Sequence, residues 1–116
     1  MMPLPVQDYF EEEVDVANLL GVSPQQVFRF EMTGPSMEEA NIPNGAILII
    51  DRTVKPNHGD IILATLNGEY TVRRLVKIHA GWVLHPENHA YTPHLIREGD
   101  EFEVWGVVKT VVIRLK

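Results

Sequence analysis

Ile61-Ile62-Leu63-Ala64-Thr65-Leu66-Asn67-Gly68-Glu69-Tyr70-Thr71-Val72-Arg73-Arg74-Leu75-Val76-Lys77 reads as a β-hairpin. Asn-Gly is the pair a two-residue type I′ turn requires, because both central residues adopt positive φ. The unbroken apolar run before it predicts a buried strand, paired across the turn with 69–77. Upstream, from Val27 onward, Phe28, Phe30 and Met32 alternate with Arg29, Glu31 and Thr33, the period of a half-buried strand. Ala46 to Asp51 is a second continuous apolar run and a second buried strand. Downstream, a turn at Ala80-Gly81 opens a short strand from Gly81 to Leu84. Pro86 to Pro93 reads as loop, and Glu103 to Arg114 as a final strand, with Gly106 placed for a bulge. Several short strands divided by turn signals predict a mainly β fold, a compact antiparallel β domain.

The start of the chain has a different character. Residues 1–13 read as an arm, with Pro3 and Pro5 followed by the solvated acidic run Glu11-Glu12-Glu13. Asp15 is placed to cap a short helix with Val16, Leu19 and Leu20 inward and Gly21 as its stop. Ser23-Pro24 looks like a second cap with proline at the first helical position, predicting one more turn. The expected organisation is an arm over 1–13 and a single domain over 14–116, with one or two short N-terminal helices before the strands.

With 116 residues, 45% of them hydrophobic, the chain can bury one core of its own. No apolar run approaches the roughly 18 residues of a membrane span. Met-Met-Pro-Leu-Pro lacks the basic and apolar regions of a signal peptide. Cysteine is absent, which excludes disulfides and thiolate metal sites, and a cytoplasmic address is expected. The formal net charge is −6, and Arg73-Arg74 with Lys77 is the one concentration of basic residues. A direct DNA binder carries a basic face, so the sequence predicts protein partners instead and no specific DNA binding of its own.

Gly34-Pro35-Ser36-Met37 looks like a serine nucleophile on a turn; its bland reading is a turn serine after Gly-Pro. Pro35 has no N–H, so the amides of Ser36 and Met37 are the donors left for an oxyanion, and Thr33 adds a hydroxyl. His58 with Asp60 and Ser36 suggests a Ser-His-Asp triad on paper, but His58-Gly59-Asp60 reads better as a turn. His85, His89 and His94, with Pro86 and Pro93 among them, read as scattered surface histidines rather than metal ligands. Glu38-Glu39 reads as an exposed turn rather than an acid/base pair. Tyr9, Phe10, Val107, Val111 and Ile113 are either core or an apolar pairing surface.

The ordered series Gly34-Pro35-Ser36-Met37, Asn44-Gly45-Ala46-Ile47-Leu48-Ile49-Ile50-Asp51, His58-Gly59-Asp60-Ile61-Ile62, Gly68-Glu69-Tyr70-Thr71-Val72, Pro86-Glu87-Asn88 and Trp105-Gly106-Val107-Val108 resembles the LexA/UmuD family of self-cleaving Ser-Lys peptidases. Near the start, Asp8-Tyr9 and Val14-Asp15-Val16-Ala17-Asn18-Leu19-Leu20 extend the likeness toward its UmuD branch. Gly-x-Ser-Met alone is weak, since signal peptidases share it. The resemblance implies a LexA/signal-peptidase-like β domain and puts Ser36 at the nucleophile position.

It also puts the general base at the residue after Thr71-Val72, which is Arg73. A serine hydroxyl needs a neighbouring base to take its proton. Burial can bring a lysine from about 10.4 to about 7, a shift of about 4.6 kcal/mol. Arginine begins at about 12.5–13.8, and the same change costs about 7.5–9 kcal/mol. Arg73 therefore stands for a natural loss of the base, an introduced trap, or an ordinary strand arginine in another register. In the first two, its guanidinium is expected near Ser36, paired with a carboxylate or carbonyl. Lys77 lies on the same face of a regular strand but about 13 Å away at about 3.3 Å per residue, too far to substitute.

The family carries its scissile Ala-Gly or Cys-Gly in an arm before this domain. No such dipeptide precedes the serine turn, where the only glycine before Gly34 is Gly21, after Leu20, and the beginning resembles that of the cleaved, mutagenesis-active UmuD form. The implied function is that of an accessory subunit of an error-prone translesion polymerase in the SOS response, with its dyad disabled at Arg73. The implied partners are a second copy in a homodimer, a UmuC-like Y-family polymerase subunit and the RecA filament, with no cofactor, no metal and no membrane. The alternative is a natively active serine autopeptidase domain silenced by substitution or truncation. A phage-type repressor's dimerisation domain is a third class.

Overall fold

The Asn67-Gly68 turn forms as its chemistry dictates: both residues have positive φ, 52° and 88°. It joins β3 (Ile61–Leu66) to β4 (Glu69–Ile78), with Leu66 opposite Glu69 and Ile61 opposite Arg74. The structure, a computed structural model, describes residues 20–21 and 23–115. The remaining strands are β1 (Val27–Glu31), β2 (Ile47–Asp51), β5 (Gly81–His85), β6 (His94–Leu95) and β7 (Phe102–Val112). All pair antiparallel in one seven-stranded sheet of order β1-β2-β7-β3-β4-β5-β6. The last strand thus lies between β2 and β3, and it alone joins the β1-β2 pair to the remainder of the sheet.

β3 is buried on both faces. Leu63 packs with Met32, Met37, Ile42, Leu48, Ile50 and Val72, while Ile62 and Ala64 pack with Leu75, Leu84 and Val107 on the other side. This is why its sequence is a continuous apolar run instead of an alternation. Each fully buried aliphatic side chain contributes roughly 1.5–3 kcal/mol relative to leaving it in water.

Gly106 marks a break in register. Val104 pairs with Ala64 and Gly106 with Leu63, so Trp105 is the extra residue of a bulge. A Cβ on Gly106 would lie 2.6 Å from both the Asp51 carbonyl oxygen and Ile50 Cγ2, so β2 comes closer than any side chain allows.

Several expectations change. Ser23–Gln26 forms the single turn expected there, hydrogen-bonded but too short to count as a helix, and the Gln26 side chain accepts the Ser23 amide. The only helical element among the described residues is a 3₁₀ turn, Glu38–Ala40. The expected arm over 1–13 and the Asp15 helix up to Leu19 lie outside the described residues, as do Tyr9 and Phe10. Val107 is core, with Ile62, Leu75 and Leu84, and Val111 packs from the edge against the other cluster around Leu48 and Ile50, whereas Ile113 is 47% exposed; only Ile113 of these three offers much surface to another chain. Strand β6 was not anticipated, because two residues carry no periodicity.

Candidate active site

Ser36 owes its position to a turn pinned from both sides. Gly34 has φ of 86°, a value that favours glycine, and its amide donates to Asn44 Oδ1 at 2.7 Å. The Met32 amide donates to the Ala46 carbonyl and the Gly45 amide to the Met32 carbonyl, closing the loop that carries the serine. Across the cleft, the 86–93 loop grips the same turn. Asn88 Nδ2 donates to the Pro35 carbonyl at 2.8 Å, and the Glu87 amide points at Met37 Sδ at 3.3 Å. The Glu39 amide donates to the Glu87 carbonyl at 2.8 Å. Met37 is fully buried, which anchors the serine's neighbour in the core.

Arg73 projects from β4 onto this turn. Its Nη1 donates to Ser36 Oγ at 2.8 Å and to the Val72 carbonyl at 2.7 Å. The contact expected of Arg73 is therefore with a hydroxyl and a carbonyl, and no carboxylate lines the cleft around it. Burial pushes the guanidinium below its ordinary value, while the nearby Tyr91 works the other way. Arginine starts so high that it stays protonated across the physiological range. A serine oxygen that accepts a bond from a cation is not being deprotonated by it.

The cleft holds about 200 Å³, lined by Phe30, Met32, Thr33, Gly34, Ser36, Tyr70, Thr71, Val72, Arg73 and Tyr91. Among the described residues no acceptor takes the amide of Ser36 or Met37. Met37 is wholly buried, so its N–H is an orphan donor of the kind that folded proteins rarely leave.

Other sequence candidates lie elsewhere. Lys77 is exposed, with Nζ 4.8 Å from the centroid of Trp82. His58 Nδ1 accepts the Lys77 amide and Asp60 accepts the Asn57 amide, so neither side chain bonds to Ser36. His85, His89 and His94 pair separately with Glu87, Glu39 and Asp100. Among the described residues no three His, Cys, Asp or Glu groups converge as a metal site, and no helix is long and apolar enough to cross a membrane. Sequence reasoning missed the clamp made by Glu87 and Asn88. The Pro86-Glu87-Asn88 segment stood out only as part of a likeness, since contacts some fifty positions apart leave no local signature.

The arrangement is a serine on a tight turn facing a strand-borne cation in an antiparallel β domain, and the class of that domain is given by its sequence relatives. Residues 2–109 match the profile described as Peptidase S24-like, and the chain belongs to that family, the one that includes LexA and UmuD. It is 36% identical to protein SamA of Salmonella typhimurium over 110 residues, covering 95% of this chain and 76% of that protein. It is 42% identical to protein ImpA of the same organism over 74 residues, 64% of this chain and 51% of ImpA. The LexA repressor of Bordetella pertussis is 31% identical over 106 residues, 90% of this chain and 48% of the repressor. The chain thus spans about half the length of ImpA and of LexA.

Proposed function

We propose that this chain is a UmuD-like accessory subunit of an error-prone translesion polymerase in the SOS response, with its Ser-Lys cleavage centre disabled at Arg73. The observation that carries the reading is the 2.8 Å bond from Arg73 Nη1 to Ser36 Oγ, which sets a permanent cation where a base is needed. The likeness to SamA, ImpA and LexA supports the family context. In this reading the chain is cytoplasmic and works as a homodimer. It binds a UmuC-like Y-family catalytic subunit and the RecA filament rather than DNA. The Ser36 and Met37 amides, without an acceptor among the described residues, favour a second reading, an autopeptidase domain natively competent and silenced only at position 73.

One experiment separates these readings. A peptide carrying an Ala-Gly or Cys-Gly bond is supplied in trans. The Arg73 chain is expected to leave it intact even at alkaline pH. If the pocket is otherwise competent, Arg73→Lys cleaves it at a rate that rises with pH, as the amine loses its proton, and Ser36→Ala abolishes the effect. Cleavage by the Arg73 chain that depends on Ser36 overturns the disabled-centre reading. No cleavage by Arg73→Lys removes the second reading and favours a long-decayed site.

A further inference from the structure

The cleft beside Ser36 presents donors with little to receive them. Arg73 is the one charged side chain in its lining, in a chain whose net charge is −6. Nη1 is engaged with Ser36 and Val72, while Nη2 and Nε have no protein acceptor among the described residues. No buried side-chain nitrogen or oxygen among those residues lacks a partner, so these N–H groups are not sealed from solvent, and Arg73 lines the cleft. Because Ser36 Oγ accepts from Arg73, its own proton is free to be donated elsewhere. The Ser36 amide, which has no acceptor among the described residues, adds a further donor at the cleft wall. A half-buried guanidinium without a carboxylate is incompletely compensated, and its planar fork matches a carboxylate's two oxygens.

The walls say which carboxylate. Phe30, Met32 and Val72 line the space, and a bare inorganic ion would leave that apolar surface uncovered. Beside it runs a strand edge that no described residue pairs with. The two-residue turn makes Glu69 and Leu66 a hydrogen-bonded pair, so Thr71 and Arg73 face β3 while Tyr70 and Val72 turn their backbone groups outward. β5 pairs with β4 only from Arg74 onward. An extended peptide can therefore add to β4 at Tyr70 and Val72. It cannot run on unchanged, because Arg73 already holds the Val72 carbonyl. A chain that ends there meets the guanidinium with its terminal group.

We propose that the Ser36 cleft binds the C-terminal carboxylate of an extended polypeptide, with Arg73 as the anion clamp and the Tyr70–Val72 edge as the pairing strip. This rests on the reading of Arg73 as a charged group that does not cleave. Nitrogen-15 NMR of the intact chain tests it, using acetyl-trialanine as the free acid, the same peptide as its C-terminal amide, and acetate and phosphate alone. The acid is expected to shift the Ser36, Met37, Tyr70 and Val72 amides and the Arg73 Nε–H saturably in the millimolar range, and the amide form to shift none of them. Arg73→Gln should weaken binding about tenfold or more with the rest of the spectrum unmoved. Arg73→Lys, which keeps the charge and loses the fork, should fall between. Equal binding of acid and amide, or no binding of either, overturns the proposal. So does saturation of the same signals by acetate or phosphate at equal affinity, which would define a bare anion site. Hydrolysis of a supplied peptide by the Arg73 chain would instead break the disabled-centre reading, so the two failures are distinct.

Discussion

At position 73 the difference between a guanidinium and an amine is one of reach as well as basicity. Arg73 touches the Ser36 hydroxyl and, with the same nitrogen, the carbonyl of its own neighbour Val72. A single-headed ammonium cannot reproduce that pair and leave a fork over. Both residues were legible in the sequence as positions, because the serine turn and the Thr71-Val72 strand carry a family pattern. The group that holds the turn was not. Asn88 Nδ2 bonds to the Pro35 carbonyl, immediately before the serine. Asn88→Ala is expected to lower stability by about 1 kcal/mol in urea unfolding, the net value of one such bond. In an Arg73→Lys background that recovers cleavage, it should also slow the reaction, since the turn would be free to drift. Unchanged stability and rate would mean that Glu87 alone holds the turn.

Two predictions belong to the strands and their connections. Gly106→Ala places a methyl 2.6 Å from the Asp51 carbonyl and from Ile50 Cγ2, and at least one contact is backbone. The central pairing of β7 with β2 must shift, at a cost of roughly 1–3 kcal/mol, measured as a lower urea midpoint with the slope unchanged. The second concerns Asp100, which ties the hairpin turn to the loop before β7. Its carboxylate accepts from the Arg97 amide, faces His94 Nε2 at 2.9 Å and accepts from Asn67 Nδ2, and these contacts, the Arg97 amide foremost, lower its pKa from 3.8 to about 2. A depressed carboxylate stabilises the fold above its unfolded pKa, and that contribution fades as pH falls from about 4 toward 2. Asp100→Asn should therefore flatten the acid limb of stability against pH, leaving its shape near neutrality unchanged. A limb as steep as before would mean that other carboxylates govern it. The strands were readable wherever burial wrote a pattern: alternation in β1, unbroken apolar runs in β2 and β3, Asn-Gly at the hairpin. β6 was not readable, because its two residues are set by β5 beside them. The choice between core and pairing surface for Val107 stayed open for a related reason. β7 lies between β2 and β3, so its middle is core, and strand order cannot be read from the local sequence.

For the whole molecule, charge and surface make the predictions. A chain of net charge −6 should bind duplex DNA no better than a generic acidic protein, and tight binding would overturn the protein-partner reading. The proposed homodimer should scatter light with about twice the 13.2 kDa chain mass at micromolar concentration. Val112 and Ile113 are 44% and 47% exposed at the end of β7, and they are the apolar groups placed to meet a second copy. Ile113→Glu should shift the mass toward the monomer while leaving the circular dichroism unchanged. A wild-type monomer at high concentration would remove the dimer from the proposal. The placement of β7 reaches further, into how the molecule is born. Ser36 lies between β1 and β2, and Arg73 lies on β4, on opposite sides of a gap in the sheet that only residues 102–112 fill with strand pairing. A ribosome delivers that strand after the other six, so the growing chain can form its hairpins early but cannot complete the sheet between them. The geometry that holds serine against arginine is expected to be fixed when the last strand slides between the halves. A chain truncated before Phe102 should therefore carry every residue of the site and fail to hold Ser36 and Arg73 in register, read as loss of dispersed amide signals for both residues.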